Sequence, residues 1–218
     1  HDAQRYHRVL MQRNRLIRRA EARELDPWDE QLATIGAAIT LRRRGVAARL
    51  AEHAAPIYTA LSGGREELRL EYAPSLTGSE TAEVAAAARE ALSARREWEA
   101  ARGVTTTGPH RDDLRLRLDG RDLRAFGSRG QHLSAMLAVR LAERRVLREE
   151  IGEDPVLLLD DVLLTLDEER QAYLLDTIHG CQAFLSVTSL AGVPGLPGEA
   201  GVFRVNAGTV TDVHAHLP

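Results

Sequence analysis

Apolar side chains recur at helical spacing over residues 3 to about 23, at Tyr6, Val9, Leu10, Leu16, Ile17 and Ala20, with Arg13, Arg15, Arg18 and Arg19 between them. That is the pattern of an amphipathic helix. Asp26-Pro27 has the chemistry of an N-cap followed by a first-turn proline and predicts a second helix, whose stripe runs through Leu32, Ile35, Ile39, Val46, Leu50, Ile57 and Leu61. Neither helix can bury its stripe alone, so the two are expected to lie antiparallel as a helical arm. Gly63-Gly64 stops the second helix, and Leu68, Leu70 and Tyr72 then alternate with Arg69 and Glu71 as in a short, half-exposed strand. Ser79 is the expected cap of a third, alanine-rich helix reaching about residue 101.

The texture changes after Gly103. Thr105-Thr106-Thr107-Gly108-Pro109 is a linker-like break, and Leu114, Leu116 and Leu118 alternate with Arg115 and Arg117 as a strand that Gly120 ends. A long helix is predicted from Ser128 to about residue 150, with Leu133, Leu137, Leu141 and Val146 inward. The apolar run Val156-Leu157-Leu158-Leu159, a helix after Asp167 and a strand over residues 183–187 follow. Helices alternating with apolar strands imply a parallel, two-sided sheet, and Asn206-Ala207-Gly208 marks a closing hairpin. The expected class is therefore α/β with an α-helical arm, the arm over 1–103 and the α/β part over 104–218.

Composition narrows the chemistry. With 29 basic and 32 acidic residues among 218, net charge does not point to nucleic acid, and any such contact must come from local patches. Every basic residue is arginine, so the lysine of a phosphate-binding P-loop is missing. Cys181 is the only cysteine; it is expected to be a small core residue in a reducing, cytoplasmic compartment. No apolar run approaches the roughly 18 residues of a membrane span, so a soluble protein is expected. His1 falls within a helical pattern, as in a piece cut from a longer chain.

Three features carry candidate chemistry. An apolar strand delivers Asp160-Asp161 at its carboxyl end, where ligands bind in open α/β sheets; this is Walker-B geometry, with one carboxylate near Mg²⁺ and the next beside an attacking water, or simply a strand that ends in acids. Asp167 is an ordinary helix N-cap or part of an interface loop. Ser128-Arg129-Gly130-Gln131 opens a long helix, placing free N–H groups and the positive dipole end where an anion can sit; Ser128 with Gln131 also fits a capping box. Leu61-Ser62-Gly63-Gly64 imitates the signature letters of ABC ATPases but ends a helix, at the negative dipole end that repels phosphate. Arg42-Arg43-Arg44 and the first-helix arginines are candidate DNA phosphate contacts or a solvated helix face. His214 and His216 have strand spacing but no further ligand, so no metal site is assigned there.

Thr107-Gly108-Pro109-His110-Arg111-Asp112-Asp113, then Phe126-Gly127-Ser128-Arg129-Gly130-Gln131, then Leu158-Leu159-Asp160-Asp161 continuing to Leu166-Asp167 closely resemble three consecutive motifs of the RecF family. Tyr6-His7-Arg8-Val9-Leu10 with Gln12-Arg13-Asn14 resembles that family's helical arm, so the resemblance covers nearly the whole chain. It implies an SMC-like and Rad50-like ABC ATPase that binds double-stranded or gapped DNA and ATP, forms an ATP-dependent homodimer, and promotes recombinase loading with RecR and RecO type partners. It also implies roles. Ser128 and Gly130 would touch the γ-phosphate of ATP held by the opposite subunit, with Arg129 in the same signature and Gln131 supporting the loop. Asp160 would serve Mg²⁺, Asp161 would position water, and Asp167 would belong to the D-loop along the dimer interface.

The sequence departs from the family at Leu164-Thr165, where Ser-Glu is usual, and it has Thr188-Ser189 where many ABC ATPases place a histidine; Asp161 stands where other ABC ATPases commonly have glutamate, and its shorter reach fits slow hydrolysis. The Walker A and Q-loop segments are absent and in the family's order precede the arm, so this chain alone is expected not to hydrolyse ATP. The rival expectation is a non-enzymatic DNA-binding or protein-docking module of an SMC-like protein; two helices this short exclude a long coiled coil.

Overall fold

The computed structural model describes residues 1–19, 21–189, 193 and 200–213. Helix α1 (Asp2–Leu16) and helix α2 (Ala22–Leu61) form the expected antiparallel pair, with Tyr6, Val9 and Leu10 buried against Leu32, Ile35 and Ile39. At 40 residues, α2 is about 60 Å long and is the spine of the molecule. It begins earlier than Asp26-Pro27 predicts, because Glu21 and Glu24 form a capping box while the Asp26 carboxylate pairs with Arg96 instead of capping. Pro27 lies inside the helix.

At its other end, Ser62 N–H donates to Tyr58 O and Gly64 N–H to Thr59 O, the latter at 2.8 Å. Gly63 and Gly64 adopt φ of 64° and 74°, so the ABC-like letters at 61–64 are a helix C-cap. Strand β1 (Leu68–Ala73) follows. The third helix is two: α3 (Thr81–Ala94) and α4 (Arg96–Arg102), broken at Arg95. Ser79 lies just outside α3, its N–H and hydroxyl both donating to Glu83 Oε2 at 2.8 Å. Ala33 and Ala37 of α2 pack on Val84, Ala85 and Ala88 of α3, small side chains that let the helix backbones approach.

A 3₁₀ turn (Pro109–Arg111) leads into β2 (Asp113–Leu118) and β3 (Arg121–Asp122). Strand β2 pairs antiparallel with β1, Leu68 opposite Leu118 and Leu70 opposite Leu116. The short α5 (Leu123–Phe126) precedes α6 (Arg129–Ile151). Strands β4 (Leu157–Leu159) and β5 (Ala183–Leu185) pair in parallel, with α7 (Glu168–Ile178) between them in sequence. The chain's described part closes on β6 (Val202–Asn206) and β7 (Thr209–Val213), where Ala207 and Gly208, at φ 48° and 78°, make the two-residue hairpin turn.

Packing is continuous across residue 103. One core joins Ile57, Tyr58 and Leu61 of α2, Leu68 of β1, Leu118 of β2, Leu137 and Leu141 of α6, Leu159 of β4 and Leu174 of α7. The apolar run at 156–159 differs from a strand buried on both faces. Leu159 is buried, but Leu158 is 73% exposed and stands opposite Phe184 at 56%. Alternation explains this: Leu159 faces the core while Leu158 faces the other side of the sheet, which no described element covers. Cys181 is half-buried rather than a core residue. No described helix is long and apolar enough to cross a membrane.

Candidate functional site

Ser128 is the N-cap of α6: its hydroxyl accepts the Gln131 N–H at 3.2 Å, and Gln131 Oε1 accepts the Ser128 N–H at 2.7 Å. The capping box is therefore complete. Arg129 and Gly130 are exposed, and as first-turn residues their N–H groups have no intrahelical acceptor. A methyl on Gly130 would meet nothing within 4 Å, so the backbone can be approached closely from outside. Gly127 is different. A side chain there would collide with Leu123, so this glycine sets the turn between α5 and α6, and it leaves Phe126 75% exposed beside the cap.

The Gln131 side chain is also held from behind. Its Nε2 donates to Glu66 Oε1 at 2.5 Å, and Glu66 Oε2 accepts the Tyr58 hydroxyl at 2.7 Å. Burial, then the neighbouring Glu66 carboxylate, push the Tyr58 phenol well above its usual pKa, so it stays a donor.

At the carboxyl end of β4, Ser186 organises both acids. Its N–H donates to Leu159 O at 2.9 Å. Its hydroxyl donates to Asp160 Oδ1 at 2.6 Å and accepts the Asp161 N–H at 2.9 Å. Asp161 has φ 52°, in the left-handed region that aspartate tolerates better than most residues. Asp167 caps α7: its carboxylate accepts the Arg170 N–H at 3.0 Å and pairs with the Arg170 guanidinium. Leu164 and Thr165 lie in a 3₁₀ turn (Leu163–Thr165) ahead of it, Leu164 being 61% exposed. Thr188 and Ser189 are exposed after β5.

The structure thus joins Asp160 and Asp161 through Ser186, and Ser128 and Gln131 through their caps, while no hydrogen bond among the described residues links the two groups. Sequence reasoning missed Ser186 and Glu66. The arginine run is largely engaged: Arg43 donates to Pro109 O at 2.5 Å, Arg44 to Gly78 O at 2.7 Å, and Arg42 pairs with Asp2 at 3.2 Å while remaining 68% exposed. Arg13 is no phosphate contact. It is fully buried and bonded to Asp29 and Glu99, because three helices converge on it. His214 and His216 lie outside the described residues.

These features define a class: an α/β protein with a helical arm, carrying a carboxylate pair at the end of a parallel strand and an open, capped helix N-terminus. The comparisons with known proteins narrow it. The chain is 42% identical over 222 residues to the DNA replication and repair protein RecF of Geobacillus kaustophilus, a match covering 97% of this chain and 60% of that protein. It is 40% identical over 221 residues to RecF of Bacillus subtilis, covering 96% and 60%. Among solved structures, the recombination mediator protein RecF-ATPrS in the RecFOR pathway superposes with a TM-score of 0.86 at 30% identity, covering 97% of this chain and 58% of that one. RecF-ATP in the same pathway superposes with a TM-score of 0.85. No protein-family model matches the chain. The chain belongs to the RecF family of DNA replication and repair proteins, and it spans about 60% of the length of the curated relatives it matches.

Proposed function

We propose that this chain supplies the signature and Walker B parts of a RecF-type ABC ATPase, which binds ATP, dimerises with it on double-stranded or gapped DNA, and promotes recombinase loading together with RecR and RecO type proteins. The observation that carries the reading is the N-terminus of α6. It is open at Gly130 and presents free N–H groups, as an anion-binding helix end does. That two RecF structures of matching fold are solved as RecF-ATP and RecF-ATPrS supports a nucleotide as the anion. In this reading Ser128, Arg129 and Gly130 face the γ-phosphate of a nucleotide held by the opposite subunit, and Asp167 lies near the dimer interface.

The residues present fit half of a nucleotide site. With one Asp160 oxygen held by Ser186, the other is open to a cation, and Mg²⁺ is commonly held by one or two carboxylates plus substrate phosphates. No cluster of three or more acidic, histidine or cysteine side chains that could hold a metal occurs among the described residues, so the remaining ligands would be phosphate and water. When bound, the cation would neutralise phosphate charge; Asp161 would orient water. The lysine-bearing phosphate cradle cannot come from a chain without lysine. The arm over 1–103 and the half-ATPase over 104–218 are then two functional units sharing one core, in a bacterial cytoplasmic protein. Arg42 is the member of the arginine run best placed for DNA.

The test is made in the complete protein. Asp160→Asn is expected to lower ATP turnover on the order of 100-fold, and Ser186→Ala about 10-fold by freeing the Asp160 carboxylate. The 218-residue chain alone is expected to show none. Robust turnover by this chain alone would overturn the assignment. An Asp160→Asn protein with unchanged turnover and dimerisation would favour a non-enzymatic DNA-binding or docking platform.

A further inference from the structure

We propose that Glu66 is the positioning residue of the 128–131 turn: its carboxylate, held by Tyr58 at the end of α2, fixes the Gln131 amide and thereby ties the anion-facing end of α6 to the long helix. The inference rests on the proposed contact between that turn and nucleotide, and deepens it.

The Gln131 side-chain amide is engaged at both ends. Gln131 Oε1 must face the Ser128 N–H for the capping box to close, and the two bonds at Gln131 measure 2.7 Å to Ser128 N and 2.5 Å to Glu66 Oε1. A glutamine amide can flip by half a turn at little steric cost, exchanging its acceptor for a donor. Flipped, Gln131 would set NH₂ against the Ser128 N–H and its oxygen against the Glu66 carboxylate, two repulsive contacts at once. Glu66 therefore selects the orientation that caps α6.

Glu66 is itself fixed from several sides. Tyr58, 1% exposed in the core, donates its hydroxyl to Glu66 Oε2 at 2.7 Å. The adjoining residues are pinned as well: Arg65 Nε donates to Ser62 O at 2.9 Å, Glu67 N–H to Asp119 Oδ1 at 3.0 Å, and Asp119 N–H to Glu67 O at 3.1 Å. The chain from Tyr58 through Glu66 and Gln131 to Ser128 thus runs without a gap from the buried end of α2 to the exposed cap. Tyr58 and Glu66 connect the end of α2 to the turn through Gln131.

The experiment uses the complete protein and five variants. Glu66→Ala removes the acceptor for Gln131 and is expected to raise the ATP concentration at half-maximal dimerisation about 10-fold, with ATP affinity of the monomer unchanged within about two-fold. Amide hydrogen exchange at residues 128–132 should quicken with or without ATP. Glu66→Gln, which can accept from Gln131 and donate to the Tyr58 oxygen, should restore both readouts; this separates hydrogen bonding from charge. Because Glu66 acts through Gln131, Glu66→Ala combined with Gln131→Ala should be no worse than Gln131→Ala alone. Additive losses in the double variant, a Glu66→Gln protein as impaired as Glu66→Ala, or unchanged exchange at 128–132 in Glu66→Ala would overturn the proposal. Ser128→Arg separates the two levels. If it leaves ATP-dependent dimerisation intact, the nucleotide reading of the turn fails; if it abolishes dimerisation while Glu66→Ala is silent, only the positioning role fails.

Discussion

Arg13→Met tests the cluster that holds the arm together. Arg13 and Glu99 are wholly buried, and the guanidinium makes three bonds: Nε to Asp29 at 2.5 Å, Nη1 to Glu99 Oε2 at 2.7 Å, and Nη1 to Thr105 Oγ1 at 2.8 Å. Methionine keeps the length of the stem and deletes all three donors. Breaking a buried ion pair on one side costs about 3–5 kcal/mol, because the orphaned charge stays desolvated. The lower part of that range applies here. Asp29 retains Arg96, at 2.6 Å, and Glu99 Oε1 retains the Thr106 N–H and hydroxyl at 2.5 and 2.8 Å, while the lost Arg13 Nη2 was itself buried without a partner. The expected loss is about 3–4 kcal/mol, or a melting temperature lower by roughly 6–16 °C for a chain of this size. Urea and thermal unfolding followed by circular dichroism would measure it. Adding Glu99→Gln should recover about 1.5 kcal/mol or more, since the amide removes the orphaned charge and still accepts from Thr106. A loss below about 1 kcal/mol in Arg13→Met, or no recovery in the double variant, would refute the claim that an ionised Glu99 sets the cost.

Two further outcomes probe the same end of the arm. Gly108 sits at φ 126°, and a methyl there would overlap the Tyr6 hydroxyl; Gly108→Ala should therefore cost about 3 kcal/mol or more in unfolding free energy, and a near-neutral effect would contradict the geometry. His110 donates from Nε2 to Thr105 O at 3.0 Å and accepts the Tyr6 hydroxyl at Nδ1, 2.9 Å. Burial holds its pKa below the usual 6.5. Because the unfolded chain then takes the proton first, the contribution of His110 to stability is complete above about pH 6.5 and is lost as pH falls through the lower folded value. Stability measured from pH 7 to 5 should decline more steeply in the wild-type chain than in His110→Gln; equal slopes would remove His110 as the cause.

Much of the fold was legible because its signals are local. The Ser128/Gln131 capping box, the glycine C-cap at 63–64 and the Ala207-Gly208 turn each lie within four residues of sequence, and each was realised. The parallel pairing of β4 and β5 followed from the apolar runs flanking α7. What escaped is long-range. Glu66 lies 65 positions from Gln131 and Ser186 lies 26 from Asp160, and neither residue type announces such a partner. Arg13 resembled its exposed neighbours on α1 until Asp29 and Glu99, from two other helices, surrounded it. The Asp26-Pro27 pair misled because capping chemistry at one position does not forbid a better box five residues earlier, at Glu21 and Glu24.

These partners share an element, and that has a mechanical consequence. Helix α2 carries Asp29 near its start, Arg42, Arg43 and Arg44 at its middle, and Tyr58 near its end. Arg43 and Arg44 are spent on the Pro109 and Gly78 carbonyls, so they clamp the segments around α2 rather than face outward. A ligand pulling on exposed Arg42 would therefore load a helix whose surroundings are stapled to it and whose last turn ends at the Tyr58–Glu66 pair. Pro56 removes one backbone hydrogen bond from this stretch of α2, but the remaining ladder still resists axial shortening, because shortening it breaks backbone hydrogen bonds. Under the proposed function, coupling of DNA binding on the arm to ATP-dependent dimerisation at the α6 cap should depend on Tyr58 and Glu66 more than on any arginine of the run, with a Tyr58→Phe protein retaining DNA affinity while losing part of that coupling. Equal effects of DNA on dimerisation in Tyr58→Phe and wild-type proteins would place the coupling elsewhere than along α2.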